Sequence, residues 1–173
     1  AVQTESVTPS TLPSVIQEEM FDKMRSAARA IGLKYGAFKG DLLVDSSGEI
    51  RIIEVTARTS GGYDSQYRKP LSFGIDIIKA TIDIAMGNKL DTLDLIPKFS
   101  HRSKTYSLMP SPGKITEING LEEARNIKGV HKIIVTKKVG DIIEEYKDCS
   151  VRTNFITISA PTLDELKKLQ DLV

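Results

Sequence analysis

The sequence predicts an α+β protein, in which an antiparallel sheet with packed helices is followed by a smaller antiparallel α+β subdomain. Apolar residues recur at helical spacing in several segments, and β-branched runs bounded by turn formers alternate with them. The composition changes over residues 88–100, where a proline interrupts a polar stretch. We therefore expect one lobe at residues 1–98 and a small subdomain at residues 99–173.

The first lobe is expected to hold a strand, two helices and a hairpin. The predicted bounds are Glu5–Thr8 for the strand, Val15–Ile31 and Ser72–Met86 for the helices, and Tyr63–Pro70 for a polar loop before the second helix. Ser14 and Gln17 have the spacing of a capping box, and Gly32 and Gly87 are placed to end the two helices. The Met and Ala stripe of the first helix is assigned to the core.

The second subdomain is expected to be an antiparallel sheet with two helices on one face. Its predicted strands are Lys104–Met109, Lys114–Ile118, Val130–Lys138 and Ser150–Ala160, with a turn at Gly140-Asp141 and helices at Leu121–Ile127 and at the chain end. The last helix is expected to begin with a second capping box, in which Thr162 and Glu165 are the partners.

A hairpin is predicted between the two helices of the first lobe. The apolar runs Leu42–Val44 and Ile50–Val55 flank a cluster of turn formers. Symmetric pairing about this turn sets Asp41 opposite Glu54, or one residue out of register with it. Neither face of the arms is clearly polar, so we expect the arms to be buried on both sides.

Two neighbouring buried carboxylates would repel each other and would be costly to desolvate. A divalent cation removes both costs, and two carboxylates that leave room for water and phosphate oxygens suit Mg²⁺. Arg58 follows Glu54 by four residues and could grip a phosphoryl or carboxylate oxygen, and Thr59–Gly62 could bind an anion through backbone N–H groups. The alternative is a surface hairpin whose acids lie in solvent.

This stretch resembles the end of the ATP-grasp domain, the catalytic core of carboxylate–amine ligases. In that family an acid on one strand is followed by a hairpin and by Glu-x-Asn-x-Arg before a glycine-containing loop. Further similar segments are Ala30–Leu33, Gly36-Ala37-Phe38, Gly74-Ile75-Asp76 and Met109–Ile115. The resemblance extends to L-amino-acid ligases, biotin carboxylase and phosphoribosylglycinamide synthetase-type enzymes, and it covers the last part of their pattern.

The resemblance implies a role for each matching residue. Asp41 and Glu54 would be Mg²⁺ ligands, and Thr56 stands where the family has a ligating asparagine. Arg58 would be the catalytic arginine. Ser60, Gly61 and Gly62 would bind the anionic groups of ATP or substrate through their backbone. The implied cofactors are ATP and Mg²⁺.

The function implied is the C-terminal portion of a ligase that activates a carboxylate as an acyl phosphate and joins it to an amine. The lysine-bearing strand and glycine-rich loop of the upstream ATP-binding lobe are not recognisable in the sequence, so we expect no ligase activity from these residues alone. That lobe, in the same chain or in a split subunit, would be the main partner, and a homo-oligomer is compatible with the resemblance. Alternatives are a biotin carboxylase-type fragment, which Met109–Ile115 favours, and a non-catalytic binding module, which Thr56 favours.

The composition bears on partners and compartment. A formal net charge of +1 argues against nucleic acid as a main partner. There is no run of about 18 apolar residues, so no membrane span is expected. The single cysteine, Cys149, excludes an internal disulfide and suits a reducing cytoplasm. His101 and His131 are expected to be surface or packing residues.

Overall fold

The computed structural model describes residues 3–148 and 151–173. Within it the chain forms two compact units. One comprises the residues up to Pro9, Tyr67–Gly74 and Pro97–Val173, and the other comprises Ser10–Gln66 and Ile75–Ile96. We call them the sheet unit and the hairpin unit. The predicted boundary between residues 98 and 99 stays a prediction.

The sheet unit is built on a four-stranded antiparallel sheet with the order β1-β4-β8-β6. These strands are β1 (Glu5–Thr8), β4 (Arg102–Tyr106), β6 (Val130–Val135) and β8 (Asn154–Ala160). A separate two-stranded ribbon pairs β5 (Gly113–Lys114) with β7 (Ile142–Ile143). Mixed helices and antiparallel strands confirm the α+β class. The sequence did not indicate that β1 would pair with β4, because strand pairing over about a hundred residues leaves no local signal.

Two helices cover one face of this sheet, as predicted. They are α4 (Leu121–Asn126) and α5 (Leu163–Leu172). The core combines Leu166 and Leu169 of α5 with apolar side chains of the strands, and Leu121 and Ala124 of α4 pack against it. The buried strand residues are Tyr106, Ile133, Ile156, Ile158 and Ala160. Apolar residues at i and i+3 on α5 therefore do bury one face of the helix.

The cap of α5 is confirmed, whereas the cap predicted for the first helix is wrong. The Thr162 hydroxyl accepts from the Glu165 N–H, and the Thr162 N–H donates in return to the Glu165 carboxylate. Helix α1 spans Ser14–Ala30, so Ser14 is already helical and Pro13 is the N-cap. The Pro13 carbonyl accepts from the N–H of Gln17, whose side chain donates to the Leu12 carbonyl.

The hairpin unit holds α1, the strands β2 (Lys39–Val44) and β3 (Ile50–Thr56), and α3 (Ile77–Ala85). Gly32, two residues after the last residue of α1, has φ +74°, and the N–H of Leu33 donates to the Ala28 carbonyl, a Schellman end. Residues of α1 line a groove with Ile50 and Ile52 of β3. Nevertheless, α1 has no fully buried residue, so the prediction that its Met and Ala stripe is core is wrong.

The predicted second helix is two helices. Helix α2 (Lys69–Phe73) ends at Gly74, which has φ +70°, and α3 begins after Asp76, whose side chain accepts from the Lys79 N–H. The loop predicted over Tyr63–Pro70 is also partly wrong, because Asp64–Arg68 form a π-helical turn that runs into α2. A left-handed glycine followed by an N-cap aspartate interrupts the helix despite the continuous apolar pattern.

In the sheet unit, the strand predicted from Ser150 begins at Asn154, and Cys149 and Ser150 lie outside the described residues. The turn at Gly140-Asp141 is confirmed, with Gly140 at φ +97°. None of the described helices combines the length and apolar character needed to cross a bilayer.

Candidate functional site

A β-bulge in the hairpin brings the two predicted carboxylates together. Near the turn, Leu42 pairs with Ile52, a register that would set Asp41 opposite Ile53. The register shifts between Asp41 and Leu42, and Asp41 pairs with Glu54 instead. This confirms the first of the two predicted registers, in which Asp41 lies opposite Glu54. Bulges commonly re-aim side chains next to active sites, and this one sets two acids side by side.

The turn that fixes this register is held by Asp45. One of its carboxylate oxygens accepts from the Ser47 hydroxyl, at 2.6 Å, and from the N–H groups of Ser47 and Glu49. The hydrogen bond from the Ser47 hydroxyl is the main cause that lowers the Asp45 pKa below its usual range. An ionised aspartate that accepts local N–H groups is a stable turn former.

The prediction that the hairpin arms are buried on both sides is wrong. Leu43 is 52% exposed and Ile53 is 66% exposed. The Asp41 side chain is also 58% exposed, and the Lys39 ammonium donates to its Oδ2 at 2.5 Å. The desolvation cost assumed for the two acids therefore does not arise in this structure. Their like charges still face each other, and Lys39 offsets part of the repulsion.

Four polar side chains share the hairpin face that carries the acids. Lys39 pairs with Thr56 as Asp41 pairs with Glu54, and directly opposite residues of an antiparallel ladder project to the same side. On the other side, a Cβ on Gly40 would lie 2.4 Å from the Met24 sulfur of α1, so the opposite face packs on the helix.

Lys39 was not predicted as a site residue from the sequence. Its position two residues before Asp41 on a strand, which places both side chains on the same face, was the signal that could have indicated it. Thr56 contributes a hydroxyl oxygen that is shielded from solvent and has no hydrogen-bond partner among the described residues. An oxygen in that condition, near two carboxylates, is suited to accept a further ligand.

The arginine and the loop after β3 are accessible. Arg58 is exposed, and its Nη1 donates to the Thr59 carbonyl at 2.9 Å. Within the described chain, the backbone N–H groups of Ser60, Gly61 and Gly62 donate to no other residue. Gly62 and Tyr63 both have φ near +60°, and the Asp64 N–H closes this tight turn on the Gly61 carbonyl. Positive φ at a tyrosine is uncommon and often marks functional loops.

The donor set fits Mg²⁺ of the kind that keeps several waters and shares phosphate oxygens. Two carboxylates and one hydroxyl are hard oxygen donors, which Mg²⁺ prefers. Among residues 3–148 and 151–173 no three His, Cys, Asp or Glu side chains cluster closely enough to hold a metal by themselves. The hairpin therefore offers part of a coordination shell, and the rest would have to come from water and substrate.

The chain resembles known proteins in part of its sequence and in its fold. Residues 106–173 match the sequence profile of the L-amino acid ligase C-terminal domain 2 family. The L-amino acid ligase from Bacillus licheniformis superposes with a TM-score of 0.86 at 22% identity, over 99% of this chain and 43% of that one. The chain has the fold of the C-terminal part of ATP-grasp ligases.

Two further structures share this ATP-grasp fold. Phosphoribosylglycinamide synthetase from Anaerococcus prevotii superposes with a TM-score of 0.81 at 20% identity, over 100% of this chain and 44% of that one. The biotin carboxylase domain of the Hydrogenobacter thermophilus 2-oxoglutarate carboxylase, in complex with MgADP, ADP and bicarbonate, superposes with a TM-score of 0.63 at 21% identity, over 98% of this chain and 38% of that one. The chain thus spans less than half the length of these relatives. No curated protein sequence matches it at a significant level.

Proposed function

We propose that this chain is the C-terminal portion of an ATP-dependent ligase, and that it supplies the magnesium and phosphate half of the active site. The observation that carries the proposal is the pairing of Asp41 with Glu54 at the bulge. The same hairpin lies within a fold shared with an L-amino acid ligase.

Asp41 and Glu54 would hold Mg²⁺, with the Thr56 hydroxyl as a third oxygen. The metal, when bound, would supply positive charge that offsets the charge on the transferring phosphoryl group. Arg58 has four guanidinium N–H groups beyond the one that Thr59 accepts, and these would hold oxygens of the phosphoryl group or of the acyl phosphate. The N–H groups of Ser60–Gly62 would bind the anionic end of the substrate.

The reaction proposed has two steps. A substrate carboxylate oxygen attacks the γ-phosphorus of ATP, which forms an acyl phosphate and releases ADP. An amine then attacks the acyl carbon, loses a proton to solvent and expels inorganic phosphate, which leaves an amide. The profile match over residues 106–173 favours an L-amino acid as one substrate and an amino-acid ligase over a biotin carboxylase-type fragment.

An upstream ATP-binding lobe would complete the site. The chain covers 43% of the Bacillus licheniformis ligase, and Leu43 and Ile53 of the hairpin are more than half exposed. Apolar strand residues left in solvent are typical of a surface that another part of the protein covers.

Hydroxylamine trapping on the full-length protein tests this function. With Mg·ATP, hydroxylamine and mixed amino acids, we expect amino-acid hydroxamates and ADP, because hydroxylamine intercepts an acyl phosphate. Asp41→Asn and Glu54→Gln should abolish the signal. Glu49→Gln should keep it, because Glu49 lies in the turn and pairs with Arg51. Phosphate release that requires bicarbonate and biotin instead of amino acids would refute the proposal.

A further inference from the structure

A second candidate site lies entirely in the sheet unit. A cavity of about 510 Å³ is bounded by β6 and β8, by the β5–β7 ribbon, by α4 and by the segment that joins β5 to α4. This volume is within the range of small-molecule sites in proteins, roughly 300–1,000 Å³. None of the hairpin residues assigned to magnesium or phosphate contributes to its lining.

The wall of the cavity is apolar and continues the core. Ile133 pairs with Ile156 across β6 and β8, and both side chains belong to the core cluster and line the cavity. At its edge, Leu108 is 51% exposed and Ile118 is 41% exposed. A bound apolar group would remove these side chains from water, which is the main source of affinity in such sites.

The charged lining residues are mainly basic. Lys114 of β5 and Lys137, just after β6, both line the cavity, and Glu117 is the only acidic side chain among its described lining residues. Neither lysine forms an ion pair with any residue that the structure describes, and Lys137 is half-buried. By contrast, the buried Asn154 is already engaged, since its Oδ1 accepts from the Leu108 N–H at 3.0 Å. The lysines are therefore the groups available to bind an anion.

We propose that this cavity binds a small amphipathic monocarboxylate, with an aliphatic or aromatic body on the isoleucine wall and its carboxylate between Lys114 and Lys137. The two cations select a carboxylate over an amine of the same length. The wall selects a ligand with several carbon atoms over acetate. This site is additional to the ligase reaction and does not depend on it.

Octanoate is the probe, and octylamine and acetate are the matched controls. Methyl NMR on the isoleucines of the full chain follows binding, because lining residues such as Ile143 and remote ones such as Ile16 report separately. We expect saturable shifts confined to lining isoleucines with octanoate and none with the controls. Lys114→Gln and Lys137→Gln should each weaken octanoate about tenfold, the usual effect of losing one charge-assisted hydrogen bond.

Two further variants keep the test independent of folding. Lys168→Gln changes an exposed lysine of α5 that does not line the cavity, and binding should be unaffected. Ile118→Asp changes a lining residue that is 41% exposed and outside the core cluster, so the fold should persist while octanoate binding weakens. The proposal is overturned if octanoate produces no saturable shifts, if octylamine binds equally well, or if the Lys114 and Lys137 variants bind like the Lys168 variant.

Discussion

Replacing Asp41 by asparagine should leave stability almost unchanged, because two small effects oppose each other. The change removes the ion pair with Lys39, which is worth about 0.5 kcal/mol for a carboxylate that is 58% exposed. It also removes the repulsion between this charge and Glu54, which stabilises the chain by about 0.5 kcal/mol. The net change in the free energy of unfolding should be within about 0.5 kcal/mol of zero.

Two companion variants separate the opposing effects. Glu54→Gln relieves the repulsion and keeps the Lys39 pair, so it should stabilise the chain by about 0.5 kcal/mol. Lys39→Gln loses the pair and leaves the repulsion between the two acids in place, so it should destabilise the chain by about 0.5 kcal/mol. The expected order of stability is Glu54→Gln, then wild type and Asp41→Asn together, then Lys39→Gln.

Urea unfolding followed by far-UV circular dichroism measures this order. The differences should shrink in about 0.5 M NaCl, since exposed charges are screened there. A loss of more than about 2 kcal/mol in Asp41→Asn would refute the reasoning, because it would mean that the carboxylate is a structural group.

Three further predictions concern the sheet unit. Gly129→Ala should lower the free energy of unfolding by about 2–4 kcal/mol, because Gly129 has φ +98° and an added Cβ would lie 2.7 Å from a Leu169 methyl carbon. Thermal unfolding measures this loss of stability. Tyr106→Phe should be neutral or stabilising, since the buried Tyr106 hydroxyl has no hydrogen-bond partner among the described residues. Burial raises the Tyr106 pKa to about 12, so between about pH 10 and pH 12 only the unfolded chain ionises this group. The wild type should therefore lose about 2 kcal/mol of stability as the pH rises through this range. The Tyr106→Phe variant should lack this pH dependence when both proteins are unfolded in urea. Thr162→Ala should cost about 1 kcal/mol by removal of the α5 cap, with Thr162→Ser restoring it.

Each of these has a control or a contradicting result. Gly120→Ala has a similar positive φ but nothing within 4 Å of the added Cβ, so it should cost only about 1 kcal/mol, and equal losses at Gly129 and Gly120 would contradict the clash. An identical pH slope in the wild type and in Tyr106→Phe would mean that Tyr106 is not the group responsible. A Thr162→Ala variant as stable as wild type would show that the capping box does not hold α5.

The local chemistry of the hairpin made much of the candidate site predictable. Turn formers between two apolar runs indicated the hairpin, and symmetry about the turn indicated that Asp41 faces Glu54. The bulge itself could not be predicted, because Ile53 fits a regular strand as well as a bulged one. Lys39 was missed because a lysine next to an acid is common on solvated strands.

Burial was the least predictable property. The pattern of α1 and of the hairpin arms indicated a core, yet Leu43 and Ile53 are exposed in the hairpin unit. An amphipathic pattern predicts which face of an element is buried, but it does not predict which part of the protein packs against that face. The break at Gly74 was overlooked for a different reason, since the apolar stripe continues through a left-handed glycine and an N-cap aspartate.

Calorimetric titration of Mg·ATP into the full-length protein, with Asp41→Asn and Glu49→Gln as paired variants, tests the central claim most directly. We expect saturable binding by the wild type and by Glu49→Gln, and a loss of at least about a hundredfold in affinity for Asp41→Asn, because the proposed function assigns the metal to Asp41 and Glu54 together. Wild-type affinity and turnover in Asp41→Asn would contradict the account.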